Sequence, residues 1–438
     1  MMGWLPYNTL VVLFGAVILG VASGAVGTLL LFRGRALLAD ALSHAALPGV
    51  AVGFLLGLAL GVEGRPLWPL LLGALGAGLL GVGAVTALVR LPRVKADAAI
   101  GVVLSVFFAV GIVLIVFIQQ TPGGQKAGLT QFIFGQAATM RLADAQLIAL
   151  IAFATLVLTA MTFKELRLFC FDPEYARGLG YSRAGLDLLL MMQVALLTVV
   201  GLHTVGALLM VALLIIPAVA ARFWTERMNR MTILAAGFGG LGSGLGTAGS
   251  AIAFNLPTGP AIVLACGGLF LISLLLAPQR GVAAELIRRV GLRRQMTRSH
   301  LLRALYEIAE WRDDFASPTD HATLRTQRSW SRRQFRRALR ALEARGEVSR
   351  DDRGVRLTER GFGAARRCVR THRLWEHFLT THADIAPSHV DRAADDIEHV
   401  IGEDLMRDLE RALLAQGVIR KSGDVPASPH QLRTVEGV

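Results

Sequence analysis

From Leu10 to Ala277 the chain alternates long apolar runs with short polar breaks. A membrane-spanning helix needs about 20 consecutive, largely apolar residues. Runs of that kind lie near 9–32, 43–61, 66–89, 98–119, 145–163, 184–201, 204–221, 231–254 and 258–277. The pattern predicts about nine spans, with the break at Leu202–His203 very short and the segment 131–143 ambiguous. Arg33 and Arg35, then Arg90, Arg93 and Lys95, then Lys164, Arg167, Arg177 and Arg183, then Arg222, Arg227 and Arg230 occupy alternate breaks. The other breaks hold scattered charges such as Arg65, Lys126 and Arg141. Basic loops stay in the cytoplasm, which predicts an outward amino terminus and a cytoplasmic tail. The first apolar run lacks a basic leader and is followed by further spans, so a retained span is expected rather than a cleaved signal peptide.

Glycine recurs inside the spans, at Gly15, Gly20, Gly24 and Gly27 in the first and from Gly237 to Gly249 in the eighth. Small residues at such spacings let helices pack closely without a hydrophobic driving force. After Gln279 the pattern changes to that of a soluble domain. The formal charge of +13 belongs to the tail as much as to the spans, since the tail holds roughly 30 basic and 23 acidic residues. Cys170, Cys266 and Cys368 lie far apart, which predicts neither a disulfide framework nor a zinc ribbon.

Arg280, Arg288, Arg289, Arg293 and Arg294 form a basic run beside the last span, suited to anionic membrane lipids or to a solvated linker helix. A helix is predicted over "SHLLRALYEIAEWRDD". In Ser329–Gly361, Ser331 is placed to cap a helix whose apolar stripe is Phe335, Ala338, Leu339 and Leu342. Gly346 stops that helix, Asp351, Asp352 and Gly354 turn a short hairpin, and "LTERG" opens another helix. This is the order of a winged helix-turn-helix. Arg332, Arg333, Arg336, Arg337 and Arg340 share its outer face, where they suit nucleic-acid contact or plain solvation.

Two features carry metal chemistry. Asp40 and His44 stand four residues apart, on one helical face, inside apolar sequence. An ionisable group in a membrane costs at least about 2.5 kcal/mol, so function is its default explanation. Carboxylate with imidazole suits a divalent first-row metal; a hydrogen bond near the interface, with Arg35 close by, is the plainer reading. In the tail, His372 and Glu376 are four apart, and Asp395, Glu398 and His399 fall on one face of a second predicted helix. Such a set suits Mn²⁺ or Fe²⁺ and accepts Zn²⁺, although each half alone also reads as a helix-surface salt bridge.

"RGRALLADALSHAALPGVAVGFLLG" (Arg33–Gly57) resembles the hallmark segment of the ABC-3 permeases, membrane subunits of bacterial importers of manganese, zinc and iron. "KADAAIGVVLSVFFAVGIVLI" (Lys95–Ile115), "FIFGQAATM" (Phe132–Met140) and "VGALLMVALLIIPAVAA" (Val205–Ala221) extend the likeness in order. The resemblance implies a metal pathway at a subunit interface in a bacterial cell membrane, with Asp40 and His44 at the family's acid and histidine positions. Asp97, Asp144 and His203 are further candidates for it. It also implies a second permease subunit, an extracytoplasmic metal-binding protein and a separate ABC ATPase subunit. The segment Asp172, Pro173, Glu174, Tyr175, Ala176, Arg177, Gly178, Leu179 and Gly180 would be the helix that couples to that ATPase, which disfavours a carrier driven by an ion gradient. With no GxxxxGK[ST] run, this polypeptide is not expected to hydrolyse ATP.

Ser299–Gly417 resembles the diphtheria toxin repressor family of metal-dependent regulators, with winged helix and dimerisation region. The likeness implies metal ligands at His372, Glu376, Glu398 and His399, with Asp395 a carboxylate as in manganese-sensing members. It departs at the first helix, where His300 and Arg303 stand in place of acids. The expected whole is an all-α polytopic membrane protein with a cytoplasmic α+β winged-helix domain and a helical dimerisation region. Its parts are a permease (1–278), a basic linker (279–298), a winged helix (299–361), a metal-binding region (362–417) and a tail (418–438). The leading reading is a divalent-metal permease with a metal-sensing tail; the rival is a membrane-anchored, metal-dependent DNA-binding regulator.

Overall fold

The computed structural model describes residues 7–35, 37–60, 67–120, 140–253, 256–327, 330–382, 403–415, 417, 421 and 424–428. The chain divides into two compact units, Met1–Glu285 and Leu286–Val438.

The first unit is helical: α1 (Tyr7–Phe32), α2 (Leu37–Ala59), α3 (Leu67–Val89), α4 (Ala96–Gln120), α5 (Leu142–Met161), two short helices α6 (Phe163–Phe171) and α7 (Pro173–Gly178), then α8 (Arg183–Val205), α9 (Ala207–Arg222), α10 (Met228–Ile252) and α11 (Thr258–Leu276). Among the described residues seven of these, α1 to α5, α8 and α11, are long and apolar enough to cross a membrane. The two remaining predicted spans fall on α9, whose apolar stretch is shorter, and on α10, which has 25 residues but is rich in glycine, serine and threonine. The ambiguous segment 131–143 lies mostly outside the described residues. The break predicted at Leu202–His203 instead falls at Gly206, whose φ of +87° supplies the turn between α8 and α9.

Glycine seams hold the bundle together. A Cβ on Gly24 would lie 2.2 Å from the Ala235 carbonyl oxygen, and one on Gly20 would lie 2.3 Å from that of Gly239, so α1 and α10 touch backbone to backbone. Gly49 and Gly53 of α2 meet Gly73 and Pro69 of α3 in the same way. The basic breaks gather at one end of the bundle. Arg35 Nη1 donates to Asp187 Oδ2 at the start of α8 (2.6 Å), Arg167 Nη1 to Asn229 Oδ1 at the start of α10 (3.0 Å), and Arg280 pairs with Glu226 (2.7 Å).

A further helix, α12 (Val282–Trp311), runs without interruption, so the predicted linker and the next predicted helix are one element of 30 residues. The second unit continues with α13 (His321–Thr326), α14 (Arg332–Ala344), β1 (Val348–Asp351), β2 (Gly354–Leu357), α15 (Glu359–His382) and α16 (Glu403–Ala415). The strands pair antiparallel with Val348 opposite Leu357, and Thr319 bridges to Val355 on the other edge of β2. Asp351 Oδ1 accepts from the backbone N–H groups of Arg353 and Gly354 (2.9 Å each), which fixes the hairpin turn. Leu301, Leu302, Leu305, Leu324, Phe335, Leu339, Leu342, Val355 and Val369 form one core beneath the hairpin.

Candidate metal-handling sites

The approach to α2 is set by a helix cap. The Arg35 N–H bonds the Leu30 carbonyl (3.2 Å) and the Gly34 N–H that of Leu31 (3.0 Å), with Gly34 at φ +65°. This is the paired-bond ending that closes a helix with a left-handed glycine. It leaves Arg33 and Arg35 on either side of the turn and opens α2 two residues later.

Asp40 lies in the first turn of α2, and its Oδ1 stands 3.3 Å from His44 Nε2. The His44 ring meets Phe108 of α4 edge-on, with centroids 4.9 Å apart. Pro48, inside α2, has no N–H to offer the His44 carbonyl four residues back, so the helix ladder is open immediately beyond the pair. Ala41, Leu42, Ala45 and Ala46 are at most 2 % exposed, whereas the His44 and Asp40 side chains are 21 % and 36 % exposed. Val52 and Leu56, further along that face, are 44 % and 55 % exposed. The pair is therefore partly covered, the imidazole by Phe108, and the apolar side chains beyond it on that face are open.

Asp97 and Asp144 do not join that pair. Asp97 is exposed in the first turn of α4. Asp144 accepts the Arg141 N–H (3.0 Å) and closes the start of α5, a helix-capping use. His203 lies on α8, near its end. Burial pushes the Cys170 thiol up to about 11, so at neutral pH it is protonated rather than a thiolate ligand.

The segment 172–180 forms a short helix with a cap. Asp172 Oδ1 accepts the Tyr175 N–H (2.9 Å), Pro173 takes the first turn, where no N–H is needed, and Gly180 at φ +91° ends it. Ala176 is buried; Tyr175, Leu179 and, at the end of α6, Phe171 are more than half exposed. Glu174 bonds Arg183 (2.6 Å) and approaches Arg177 (3.4 Å). An apolar knob ringed by charge therefore projects at the end of the bundle that holds the basic breaks.

In the second unit, His372 Nε2 and Glu376 Oε1 are 3.2 Å apart on α15 and both side chains are fully buried. A buried carboxylate is tolerated only beside a compensating charge or hydrogen-bond donors, and this imidazole–carboxylate pair is a donor set that fits an O/N-ligated divalent metal. Asp395, Glu398 and His399 lie outside the described residues; among the described residues no group of three or more potential ligands forms. His300 and Arg303 are buried on α12, with Arg303 3.5 Å from Glu307. Residues 424–428 lie along α15, where Arg373 Nη1 donates to the Pro426 carbonyl (3.0 Å) and His377 Nε2 meets that of Ala427 (2.9 Å).

On α14, Ser331 Oγ accepts the Gln334 N–H (3.2 Å) while Gln334 returns a bond to the Ser331 N–H (3.2 Å). Phe335, Ala338, Leu339 and Leu342 are buried; Arg332, Arg333, Arg336, Arg337 and Arg340 are exposed on the opposite side. The cluster of Asp187 with Arg33 and Arg35 is not predicted by the sequence pattern, in which the arginines orient the bundle and Arg35 stands near Asp40. A lone carboxylate one turn into an apolar span was the available signal.

The sequence model of the ABC 3 transport family matches residues 7–277. The chain belongs to that family. Residues 358–415 match a second model, the iron dependent repressor, metal binding and dimerisation domain. The chain is 40 % identical over 380 residues, 86 % of each chain, to the manganese transport system membrane protein MntC of Bacillus subtilis. An alignment of that length extends beyond the first unit into the second. It is 40 % identical over 278 residues to the zinc transport system membrane protein TroC of Treponema pallidum, covering 64 % of this chain and 92 % of that one. Among solved structures, PsaBC from Streptococcus pneumoniae in complex with Fab is 32 % identical, with a TM-score of 0.55, over 63 % of this chain and 94 % of that one. The chain is thus a multi-pass membrane protein of permease type, joined to a domain of a metal-dependent regulator.

Proposed function

We propose that this chain is the membrane permease of an ATP-driven importer of divalent metal ions. The observation that carries the reading is the Asp40–His44 pair, 3.3 Å apart on a face of α2 that stays part-exposed in the single chain. Charged groups facing hydrocarbon are costly, so a second permease subunit, identical or homologous, is the partner that covers the face and encloses the pathway. A carboxylate and an imidazole replace part of the hydration shell of Mn²⁺, Zn²⁺ or Fe²⁺. Manganese is favoured, because a relative 40 % identical over 86 % of this chain is named for it. The exposed knob of α7 would seat on a separate ATPase subunit, and an extracytoplasmic metal-binding protein would deliver the ion. ATP binding and hydrolysis would then alternate access to Asp40 and His44 from the two sides. The basic breaks would face the cytoplasm, and with them the second unit.

The second unit is assigned to sensing imported metal through His372, Glu376, Asp395, Glu398 and His399, with binding ordering the paired tails and holding the transporter in one state. Two measurements test these roles. Proteoliposomes holding the assembled complex should accumulate Mn²⁺ only with ATP inside the reach of the ATPase; no ATP-dependent uptake of any divalent metal would overturn the permease reading. A chain ended after Leu276 should lose inhibition by accumulated metal; unchanged inhibition would remove the sensing role.

The exposed arginines of α14 favour one second reading, a membrane-anchored regulator that reads DNA. Duplex binding by the full chain in nanodiscs, dependent on Mn²⁺ and weakened about one unit of salt slope by Arg336→Ala, would support it. Absence of any salt-sensitive binding would eliminate it.

A further inference from the structure

Three ion pairs run in series from the exposed knob to the foot of α2. Glu174 of α7 bonds Arg183, the first residue of α8 (2.6 Å). Asp187 lies one helical turn beyond Arg183 on the same face. Its Oδ2 accepts from Arg35 Nη1 at 2.6 Å, and its Oδ1 stands 3.9 Å from Arg33 Nη2. Arg35 is five residues from Asp40, across the glycine-capped turn that joins α1 to α2.

The same turn is tied to α6. The Arg33 guanidinium lies 4.0 Å above the Phe169 ring, Phe32 meets Phe171 with centroids 5.2 Å apart, and Cys170 Sγ approaches the Leu29 carbonyl (3.7 Å). A movement of α6 and α7 therefore reaches α2 by two routes, one apolar and one ionic. The ionic route has a property that packing lacks. One carboxylate faces two guanidiniums, bonded to one and a short step from the other, and all three side chains are half-buried, at 20 % for Asp187, 19 % for Arg33 and 30 % for Arg35. With both guanidiniums in reach, the carboxylate could pass from Arg35 to Arg33 without losing its countercharge, as an element with two arrangements requires. Transmission between distant sites needs such an element.

We propose that Asp187 is a positioning residue for transport, carrying movement of α6 and α7 to Asp40 and His44 by exchanging its partner between Arg35 and Arg33. The inference rests on the permease reading above and assigns the residue that links its energy source to its pathway. Asp187→Asn keeps the size of the side chain and removes the charge. Arg35→Gln removes one partner, leaves Arg33, and is the milder test of assembly.

The experiment compares Mn²⁺ transported per ATP hydrolysed by the full-length chain with its ATPase subunit in proteoliposomes. Both variants should lower that ratio about tenfold while hydrolysis stays within about twofold of the parent, the scale of an ordinary coupling between two sites. A residue that only stabilised the fold would lower transport and hydrolysis together and leave the ratio alone. An unchanged ratio in either assembled variant overturns the inference while leaving the permease reading intact. A parent complex that hydrolyses ATP but moves no divalent metal overturns both.

Discussion

The seam between α2 and α3 fixes the helix that carries Asp40 and His44, and a single methyl group can test it. A Cβ on Gly73 would stand 2.1 Å from the Gly49 carbonyl oxygen and 3.0 Å from the Cα of Gly53. The two backbones must part by about 0.9 Å to restore the 3.0 Å that real Cβ contacts keep. Overpacking of this kind costs about 1–3 kcal/mol, and alanine recovers about 1 kcal/mol of helix propensity. Gly73→Ala should therefore lose up to about 2 kcal/mol, which at about 2–4 °C per kcal/mol lowers the melting temperature by several degrees. Gly76, one turn along α3, has nothing within 4 Å of its hypothetical Cβ, so Gly76→Ala should hold or gain stability. Tryptophan-fluorescence melting of both variants in detergent separates the cases. Equal shifts in the two, or a Gly73→Ala protein stabilised as much as Gly76→Ala, would refute the assignment of a tight seam.

In the second unit, Ser331→Ala should cost about 1 kcal/mol by losing the α14 cap, seen as faster hydrogen exchange at Gln334, while Ser331→Asp keeps protection. Hydrogen bonds from the Ser317 side chain and from the Ala316 and Ser317 backbone hold the Asp314 carboxyl below its ordinary 3.8. A lowered folded value makes its contribution present above about 3.8 and lost as the pH falls through the folded value; carboxyl NMR titration at or above 3.8 would contradict this. Mn²⁺ at a hundredfold excess over its dissociation constant should stabilise the second unit by about 2.7 kcal/mol, and Glu376→Gln should abolish that gain, read as a metal-dependent shift in melting.

Local signals were legible where one residue type answers one backbone need. Ser331 with Gln334 three residues on marks the start of α14, and the buried stripe from Phe335 to Leu342 is the one that periodicity predicts. Asp172 before Pro173 marks α7 in the same way. Two boundaries were less legible. Gly206 turns the chain because its φ is positive, whereas the polar residues that mark a break in sequence, His203 and Thr204, stand before it on the last turn of α8. The basic run before Ser299 reads as a linker helix or a lipid-facing run, but arginine is a good helix former and no breaker parts it from the next predicted helix, so α12 runs through both. The Asp187 cluster joins residues 152 positions apart, a pairing that no local pattern encodes. The Asp40–His44 spacing was visible in sequence, whereas its partial exposure was not, since which side of α2 faces away from the bundle depends on where α3 and α4 pack.

The central claim is that Asp40 and His44 contact the travelling ion. It is tested most directly by ATP-driven ⁵⁴Mn²⁺ uptake into proteoliposomes holding the complex with Asp40→Ala, with His44→Ala and with both, each checked for assembly and for retained ATP hydrolysis. Each single change should lower uptake by at least about tenfold, the factor that about 1.4 kcal/mol of lost ion binding represents, and the double change should remove it. Full uptake by the assembled double variant would contradict the claim.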